Sequence, residues 1–409
     1  MDSKLRHRPN RRALLRGAAI AATSLALPKM LAGCSGSSAT GSLTSSGATG
    51  TAQDPVKIAL LLPTSGDPQT AAIAKGLRQA AELAVFDLNQ PGLQLIVKDD
   101  RGTEEGARAA VGEALSGGAE IILGPLFSRA TAAAAPLARQ AGVPIISFSN
   151  DRSVAGNGVY LLSFLHDQEV SRIVDYAARQ GRSRLVALLP KDTVGDQLEQ
   201  SLRAATIRSG ITLMAVERYA LNTNAVLAPA RKIHDVIKSA PADAPVDSLF
   251  LPGGEDLLPM VSPFIPYLGI DTRQVRLLGT GGWDTPIVTR DKAFAGGWFA
   301  APDPRGWRTF AERFAKSYGA QPPRVASLAY DAVGIAGALA GTGRGGRFAA
   351  ANLTRASGFN GIDGRFRLSS GGLVDRELAV LEVGRGSSTV IDGAPAEPGR
   401  LYTSALAKS

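Results

Sequence analysis

The chain has 409 residues, 44% hydrophobic and 20% charged, a composition typical of a globular protein of two or three domains. Much of its formal charge of +9 lies at the start, because residues 1–33 hold seven basic residues and one acidic residue. The rest of the chain, +9 less that +6, is close to +3, and this small, dispersed excess argues against nucleic-acid binding.

The first 34 residues have the pattern of an export signal. A basic region precedes the apolar run 17–27, whose 11 residues are too few for a membrane span of about 20 residues. The sequence NRRALLR resembles a twin-arginine signal, although an accidental arginine pair in an ordinary signal remains open, and LAGC resembles a bacterial lipobox. We therefore expect a signal peptide over residues 1–33 and a lipidated Cys34.

Cys34 is the only cysteine of the chain, so the sequence excludes an intrachain disulfide. An acyl acceptor explains a single cysteine at this position better than a redox or metal-binding thiol does. Residues 35–53 are almost entirely Ser, Gly, Thr and Ala, the composition of a flexible tether with a reach of roughly 25 Å. Residues 34–54 are thus expected to hold a folded body near a membrane.

The first part of the body alternates strand and helix signals. Five short apolar runs predict buried strands: 56–62, 93–97, 121–123, 143–146 and 160–163. Three segments with helical spacing or composition lie between them: 70–88, 103–115 and 130–141. Repeated strand–helix units predict a parallel sheet with helices on both faces.

A second round of the same kind follows. Its predicted helices are 167–180, 194–209 and 226–239, and its predicted strands are 185–189, 212–219, 248–251 and 276–278. A mixed third part has predicted helices at 306–318 and 326–339 and strand-like runs at 361–368 and 377–382. We expect an α/β fold with two doubly wound parallel-sheet lobes and a cleft between them.

Polar side chains cluster where two neighbouring strands of the first lobe end. Ser128 lies in the loop after strand 121–123, and the run Ser147, Ser149, Asn150 and Asp151 follows strand 143–146. Ligands of doubly wound folds bind outside the carboxyl ends of the strands. The sequence therefore places these residues on the rim of one crevice, although Ser128 as a simple loop cap remains open.

Enzyme chemistry has little support in the sequence. His166 and His234, the histidines after the signal, lack metal-ligand spacing, and the chain has no G-x-S-x-G elbow and no P-loop. Residues 341–346 match G-x-G-x-x-G but follow a helix rather than a strand. We expect a non-enzymatic protein without metal or cofactor.

Seven short motifs occur in order along the body. They are PTSG at 63–66, a helix end at 83–89, GP at 124–125 with Ser128, GVP at 142–144, two phenylalanines followed by YG at 310–319, YDA at 330–332, and FNG with GRF at 359–366. Together they resemble the leucine-binding-protein-like family, which has the type 1 periplasmic-binding fold.

This resemblance implies a ligand between two lobes that are joined by three crossings, near residues 163–166, 300–302 and 359–366, with hinge closure on binding. The first lobe would comprise residues 55–163 and 301–358, and the second 164–300 and 359–393, with a loose tail over 394–409. Such proteins deliver small polar solutes to an ABC permease.

The resemblance also implies a candidate site. A hydroxyl at the Ser128 position and the loop after strand 143–146 would bind a ligand carboxylate, but Asp151 stands where threonine is usual. The second lobe usually offers an acid in the loop that is 279–283 here; this loop has none before Asp284, and an aromatic residue usual near Pro252 is missing. The complete set of candidate ligand contacts is Thr64, Ser65, Ser128, Ser147, Ser149, Asn150, Asp151, Gly253, Glu255, Trp283 and Asp284.

Several roles within this set remain open. Glu255, Asp256 or Asp284 would replace the absent acid of the second lobe. Trp283 would cover a ligand face or pack at the lobe edge. These alternatives differ in whether each side chain faces the cleft or the protein interior.

Two functions remain open from the sequence. One is a solute receptor for amino-acid-like ligands. The other is suggested by residues 146–156, which resemble penicillin-binding protein activator lipoproteins, whose partner is a peptidoglycan synthase. Both imply a periplasmic protein held by a lipid anchor, and Ser35 in place of an aspartate after Cys34 favours the outer membrane by the lipoprotein sorting rule.

Overall fold

The structure, a computed structural model, describes residues 55–343 and 345–395. The predicted signal peptide, Cys34, the tether and nearly all of the predicted tail lie outside these residues. No helix within the described ranges is both long and apolar enough to cross a bilayer.

The first lobe begins with five parallel strands and three helices. The strands are β1 (Val56–Leu62), β2 (Leu93–Asp99), β3 (Ile121–Leu123), β4 (Ile145–Ser147) and β5 (Val159–Leu161), in the sheet order β2-β1-β3-β4-β5. The helices are α1 (Pro68–Leu88), α2 (Glu104–Ser116) and α3 (Ser128–Gln140). The central strands are buried almost throughout, as in a parallel sheet covered on both faces.

The second lobe repeats this arrangement. Its helices are α4 (His166–Arg179), α5 (Thr193–Ser209), α6 (Leu227–Ser239), α7 (Leu258–Val261), α8 (Phe264–Tyr267) and α9 (Pro286–Arg290). Its parallel strands are β6 (Arg184–Pro190), β7 (Thr212–Tyr219), β8 (Ser248–Phe250), β9 (Arg276–Gly279) and β10 (Trp298–Ala301), in the order β7-β6-β8-β9-β10.

The chain then returns to the first lobe before it ends on the second. Helices α10 (Pro304–Tyr318), α11 (Ala326–Ala340) and α12 (Ala350–Leu353) precede a three-stranded antiparallel sheet of β11 (Phe359–Gly361), β12 (Gly364–Leu368) and β13 (Val374–Arg376). Of the last two strands, β14 (Ala379–Val383) pairs antiparallel with β10, and β15 (Ser388–Asp392) pairs antiparallel with β14, which extends the second sheet to seven strands.

Each large sheet has an apolar core on both faces. In the first lobe, α1, α10 and α11 pack on one face, and α2 and α3 pack on the other. In the second lobe, α6 and α7 pack on one face, and α4 and α5 pack on the other. The expected α/β fold with two doubly wound lobes is confirmed.

Short connections bring the carboxyl edges of the two sheets together. Residues 162–165 lead from the end of β5 to the start of α4, and residues 302–303 lead from the end of β10 to the start of α10. Because both connections join carboxyl-edge loops, the cleft lies between the loops that follow the strands of each lobe. The resemblance implied crossings near residues 163–166 and 300–302.

The third crossing differs from its expected position near residues 359–366. Phe359, Phe366 and Val374 are buried in the core of the first lobe, so β11, β12 and β13 belong there rather than to the second lobe. The chain crosses at residues 377–378, just before β14. The physical reason is the apolar face of this small sheet, which packs against the first-lobe core.

Candidate functional site

On the first lobe, the loop after β1 bonds to a carboxylate of the lobe itself. The backbone N–H groups of Thr64 and Ser65 donate to Oδ1 of Asp99 at 3.0 and 3.4 Å. Burial raises the pKa of Asp99, but hydrogen bonds from Ser65, Arg101 and Thr64 outweigh it and hold the pKa below its usual range. Thr64 and Ser65 are exposed on this rim with part of their hydrogen-bonding capacity used by Asp99.

Ser128, the first residue of α3, lies beside Asp151. The Asp151 carboxylate accepts the Ser153 N–H at 3.0 Å and the Ser153 hydroxyl at 2.7 Å. The Ser153 hydroxyl contributes most to a lowered pKa of Asp151, against the opposing effect of burial, and the Ser128 side chain adds to this lowering. The structure thus brings Ser128 and Asp151 together.

Ser147 is a structural residue, which corrects its expected place in the cleft lining. Its side chain is fully buried, and its Oγ lies 2.8 Å from Thr131 Oγ1 and 3.1 Å from the carbonyl oxygen of Pro125. The same Oγ accepts the Ser149 N–H at 3.1 Å. This hydroxyl ties α3 to two loops, because buried backbone groups at strand ends need partners.

Ser149 and Asn150 complete the first-lobe rim. Ser149 is almost fully buried, and its Oγ accepts the Asp151 N–H at 3.1 Å, so the hydroxyl fixes the turn that presents Asp151. Asn150 is exposed between them. Of the predicted run after β4, Asn150 and Asp151 are the side chains with most access to the cleft.

On the second lobe, Trp283 is a core residue, a position that fits packing, one of the two roles left open by the sequence. Its side chain is fully buried, and Nε1 donates to the carbonyl oxygen of Leu251 at 2.9 Å. Its ring packs against Phe294 and Phe299 with centroids 5.0 and 6.1 Å apart. A large apolar ring with its one donor satisfied is more stable in this interior than against solvent.

The predicted acids of the second lobe differ in whether they have a partner within the lobe. Asp284 accepts the hydroxyl of Ser388 at 2.9 Å, so it ties the loop after β9 to β15 instead of standing free at the cleft. Glu255 and Asp256 are exposed beside Gly253, whose N–H lies 3.5 Å from Thr280 Oγ1. Glu255 and Asp256 remain candidates at the edge of the cleft.

Glu169 is the acid that sequence reasoning missed. It lies in the first turn of α4 and is 5% exposed, and a methyl group added to Gly281 would lie 2.7 Å from its Oε1. The carboxylate therefore fills the space that a side chain at Gly281 would take, within the very loop that lacks an acid. The α4 macrodipole stabilises negative charge at this end of the helix.

His166, one turn before Glu169, adds a titratable group to this corner. Burial lowers the pKa of His166, but Glu169, 3.7 Å from Nδ1, and the charges of Asp167 and Asp192 outweigh it, so the pKa is raised overall. Asp167 in turn forms a 3.1 Å ion pair with Arg152 of the first lobe, so the two rims are in contact here.

Two further carboxylates act on the end of β7 on the second lobe. Burial and the charges of Asp192 and Asp256 raise the pKa of Tyr219 at the end of β7, which shows both carboxylates close to that edge. Within residues 55–343 and 345–395, no three His, Cys, Asp or Glu side chains are grouped so as to hold a metal ion. The rims are suited to bind a cationic or hydrogen-bonding group.

Comparison with known proteins agrees with this architecture. The model of the periplasmic binding protein family matches residues 55–388. A putative branched-chain amino acid ABC transporter protein from Rhodospirillum rubrum has a TM-score of 0.71 at 19% identity, with 82% of this chain and 100% of that chain covered. An ABC transporter solute-binding protein from Rhodopseudomonas palustris BisB5, in complex with 3,4-dihydroxybenzoic acid, has a TM-score of 0.61 at 19% identity, with 84% and 98% covered.

A curated relative is similar over a shorter region. The uncharacterized protein RP748 of Rickettsia prowazekii (strain Madrid E) is 24% identical over 181 residues, which are 44% of this chain. The match spans about half, 48%, of that relative's length. The structural likenesses show the fold, and the family model covers most of the sequence. The chain therefore belongs to the periplasmic binding protein family and has the type 1 fold of ABC transporter solute-binding proteins.

Proposed function

We propose that the protein is a periplasmic solute receptor that holds a small polar, amine-bearing ligand between its lobes and delivers it to an ABC permease. The observation that carries this proposal is the Glu169 carboxylate, which lies against Gly281 in the loop after β9. An amine bound there would have a counter-charge on the second lobe and the Ser128–Asp151 rim on the first. Contact with both lobes at once favours a closed arrangement.

Glu169 has the environment that such a role needs. Its side chain is nearly buried, so its attraction for an ammonium group is screened less than that of a surface carboxylate. It contacts Nδ1 of His166 at 3.7 Å, which is longer than a direct hydrogen bond. A ligand amine would make the short, charge-assisted hydrogen bond that Glu169 lacks with His166.

The structural neighbours support a receptor without naming its ligand. One is described as a branched-chain amino acid transporter protein, and another binds 3,4-dihydroxybenzoic acid on the same fold. Because one fold serves such different solutes, the side chains on the rims decide the ligand. Here those side chains are mainly hydroxyls and carboxylates.

A second candidate function is activation of a peptidoglycan synthase by protein contact. One observation favours it: the Thr64 and Ser65 N–H groups already donate to the lobe's own Asp99, and the Asp151 carboxylate already accepts the N–H and hydroxyl of Ser153. A cleft whose polar groups satisfy one another needs no small ligand. In that case, pull-down with a synthase would depend on surface residues and not on Glu169.

The proposed lipid anchor at Cys34 is compatible with both candidate functions. Its support is the lipobox-like LAGC sequence and the Ser- and Gly-rich segment that follows it. Labelling of cells with a palmitate analogue should mark the wild-type protein and leave a Cys34→Ser variant unmarked. A labelled variant would contradict the anchor.

Thermal unfolding of the purified chain against amino acids, their amides, small peptides and cell-wall fragments tests the receptor directly. A ligand at 100 times its Kd stabilises the folded state by about 2.7 kcal/mol. Glu169→Gln keeps the side-chain volume and removes the charge, so affinity for an amine should fall about tenfold or more.

Glu113→Gln is the matched control. Glu113 is an exposed acid on α2 that pairs with Lys98 and is not among the candidate ligand contacts, and its variant has the same change in net charge. It should bind like the wild type. If no compound in the panel stabilises the wild-type protein, the receptor function is wrong, and equal binding by Glu169→Gln removes Glu169 from the site.

A further inference from the structure

We propose that Asp331 and Arg376 position the two lobes, because together they hold the first crossing against the first lobe, and that loss of the Asp331 charge lets the lobes move more freely. Neither residue is among the candidate ligand contacts, and the effect requires no ligand. It therefore goes beyond the proposed receptor function.

Phe164 is the residue of the first crossing through which this pair acts. Its half-buried ring lies 4.5 Å from the Arg324 guanidinium and 5.1 Å from the Arg376 guanidinium, measured to the ring centroid. Cations within about 6 Å of an aromatic ring are attracted to its face. Two guanidinium groups of the first lobe therefore hold the crossing at one side chain.

Each guanidinium group has its own carboxylate in the first lobe. Arg324 donates to both oxygens of the Asp363 carboxylate, at 2.6 and 3.1 Å. Nη1 of Arg376 lies 3.8 Å from Oδ2 of Asp331, which is too far for a hydrogen bond. The attraction between Asp331 and Arg376 therefore depends on charge, and it requires that Asp331 is ionised.

Burial makes this attraction strong. Asp331 and Arg376 are each 3% exposed, and no nitrogen of the Arg376 guanidinium forms a hydrogen bond within the described residues. Opposite charges in such an interior are screened much less than at the surface. Asp363 also acts on Arg376, but its charge is constant: burial raises the pKa of Asp363, and the charge and hydrogen bonds of Arg324 and the Ser327 hydroxyl outweigh it and hold the pKa low.

Contacts of α4 connect Arg376 to the second lobe. Oε1 of Gln168 accepts the Arg376 N–H at 3.2 Å, and Nε2 of Gln168 donates to the carbonyl oxygen of Val374. On the far side of the third crossing, Nε of Arg172 donates to the carbonyl oxygen of Leu378 at 2.9 Å. The first and third crossings therefore meet at the start of α4, so the position of Arg376 affects the orientation of the second lobe.

The charge of Asp331 changes near neutral pH. Burial raises the pKa of Asp331 to about 7, and the charge of Asp363 adds to this effect. The charges of Arg376 and Arg324 and the Ile362 N–H, which donates to Oδ1 at 2.7 Å, oppose it. Asp331 is thus ionised above about pH 7 and protonated below it, so its attraction for Arg376 weakens as the pH falls.

Pulsed electron–electron double resonance on the purified full chain without ligand tests this inference, with spin labels at Gln69→Cys and Val194→Cys in a Cys34→Ser background. The labelled positions are exposed at the starts of α1 and α5, one on each lobe. The otherwise wild-type chain should give a narrow distribution of label distances at about pH 8 and a broader one at about pH 5.5. Asp331→Asn keeps an acceptor for the Ile362 N–H and removes the charge, so it should give the broader distribution at both pH values.

Two further variants separate the hinge from general effects of substitution. Phe164→Leu removes the aromatic face and leaves Asp331 intact, so it should broaden the distribution even at about pH 8. Asp375→Asn is the matched control, because Asp375 is also a β13 carboxyl whose pKa burial raises, but it pairs with Arg367 at 3.1 Å. It should keep the wild-type distribution at both pH values.

The contrary outcomes are equally specific. An equal distribution at the two pH values in the otherwise wild-type chain overturns the inference, and so does a pH response that Asp331→Asn retains. His166, which also titrates near neutral pH, is present in both proteins, so the difference between them belongs to Asp331. A narrow distribution in Phe164→Leu, or a lost pH response in Asp375→Asn, also overturns the inference. None of these outcomes involves a ligand, so failure here leaves the receptor proposal intact.

Discussion

Asp100, at the end of β2, is a buried carboxyl group whose protonation should affect stability. It is fully buried, its Oδ1 accepts the Gly102 N–H at 2.8 Å, and its Oδ2 has no partner among the described residues. Burial, opposed by the Gly102 hydrogen bond and aided by the charge of Asp99, raises the pKa of Asp100 from 3.8 to about 6. The folded state therefore keeps this proton at pH values where the unfolded chain has lost it.

The sign of the effect follows directly. Between about pH 4 and pH 6 the unfolded state binds fewer protons at this group, so its contribution to stability declines as the pH rises, by up to about 3 kcal/mol. Asp100→Asn should remove this decline, so the stability of the variant relative to wild type should rise with pH over that range. Urea unfolding at a series of pH values measures the free energy of unfolding of both proteins. If the two free energies change with pH in parallel, this role of Asp100 is contradicted.

Residue identity alone predicted which polar side chains lie near the rims, but not whether each side chain faces the cleft or the protein interior. Ser147 was expected in the cleft, and Trp283 either over a ligand or packed at the lobe edge. Both are buried, because a hydroxyl or an indole after a strand satisfies backbone groups as readily as it meets a ligand. Glu169 was missed because an acid in the first turn of a helix is already explained by the macrodipole. Its role emerges only from the approach of Gly281, which is distant in sequence.

At the scale of elements, the packing of α1 against α11 depends on a glycine. Gly76 is buried on α1, and a methyl group there would overlap the ring of Pro323, which precedes α11. Since the proline ring is part of the backbone, it cannot turn aside. Gly112 on α2 is also within a helix, but a methyl group there meets no atom within 4 Å.

These two glycines should respond in opposite directions. Gly76→Ala should lower the free energy of unfolding by about 1–3 kcal/mol through overpacking. Gly112→Ala should raise it by up to about 1 kcal/mol, because alanine has the higher helix propensity. Urea midpoints at unchanged m-value measure both changes, and a shift in the same direction for both variants would contradict this packing account.

Helical spacing predicted both of these helices without distinguishing their glycines. The strands β1, β3 and β7 also match their predicted bounds, because apolar runs between turn residues are strong signals. The short helices α7, α8 and α9 and the strands β13 and β15 were not predicted. Helices of four or five residues are too short to show a helical period, and β13 and β15 lack the continuous apolar run that identified β3.

At the scale of the whole molecule, side chains at the crossings connect the lobes. Gln168 of α4 accepts the Arg376 N–H at 3.2 Å and donates to the carbonyl oxygen of Val374, so the start of the second lobe bonds to β13 of the first. The Arg376 guanidinium lies 5.1 Å from the rings of Phe164 and Phe366 and 3.8 Å from Asp331. These contacts span the region about which the lobes would rotate.

The two lobes that the resemblance implied are confirmed. The third crossing lies at residues 377–378 rather than near 359–366, because an amphipathic strand pair shows which face is apolar but not which core it joins. Phe359 and Phe366 stack with centroids 5.9 Å apart inside the first-lobe core, a contact that depends on the tertiary fold. Assignment of residues 359–376 to a lobe therefore required the structure.

The central claim is that a ligand closes the two lobes around Glu169, and a distance between the lobes tests it most directly. The chain has a single cysteine, so a Cys34→Ser background allows spin labels at Gln69→Cys and Val194→Cys, exposed positions at the starts of α1 and α5 on opposite rims. With the tightest-binding amino acid or amide present, pulsed electron–electron double resonance should show a shorter distance between the two spin labels. The Glu169→Gln substitution should remove this shortening at the same ligand concentration. An unchanged distance at saturating ligand, or none of these compounds binding, would contradict the account.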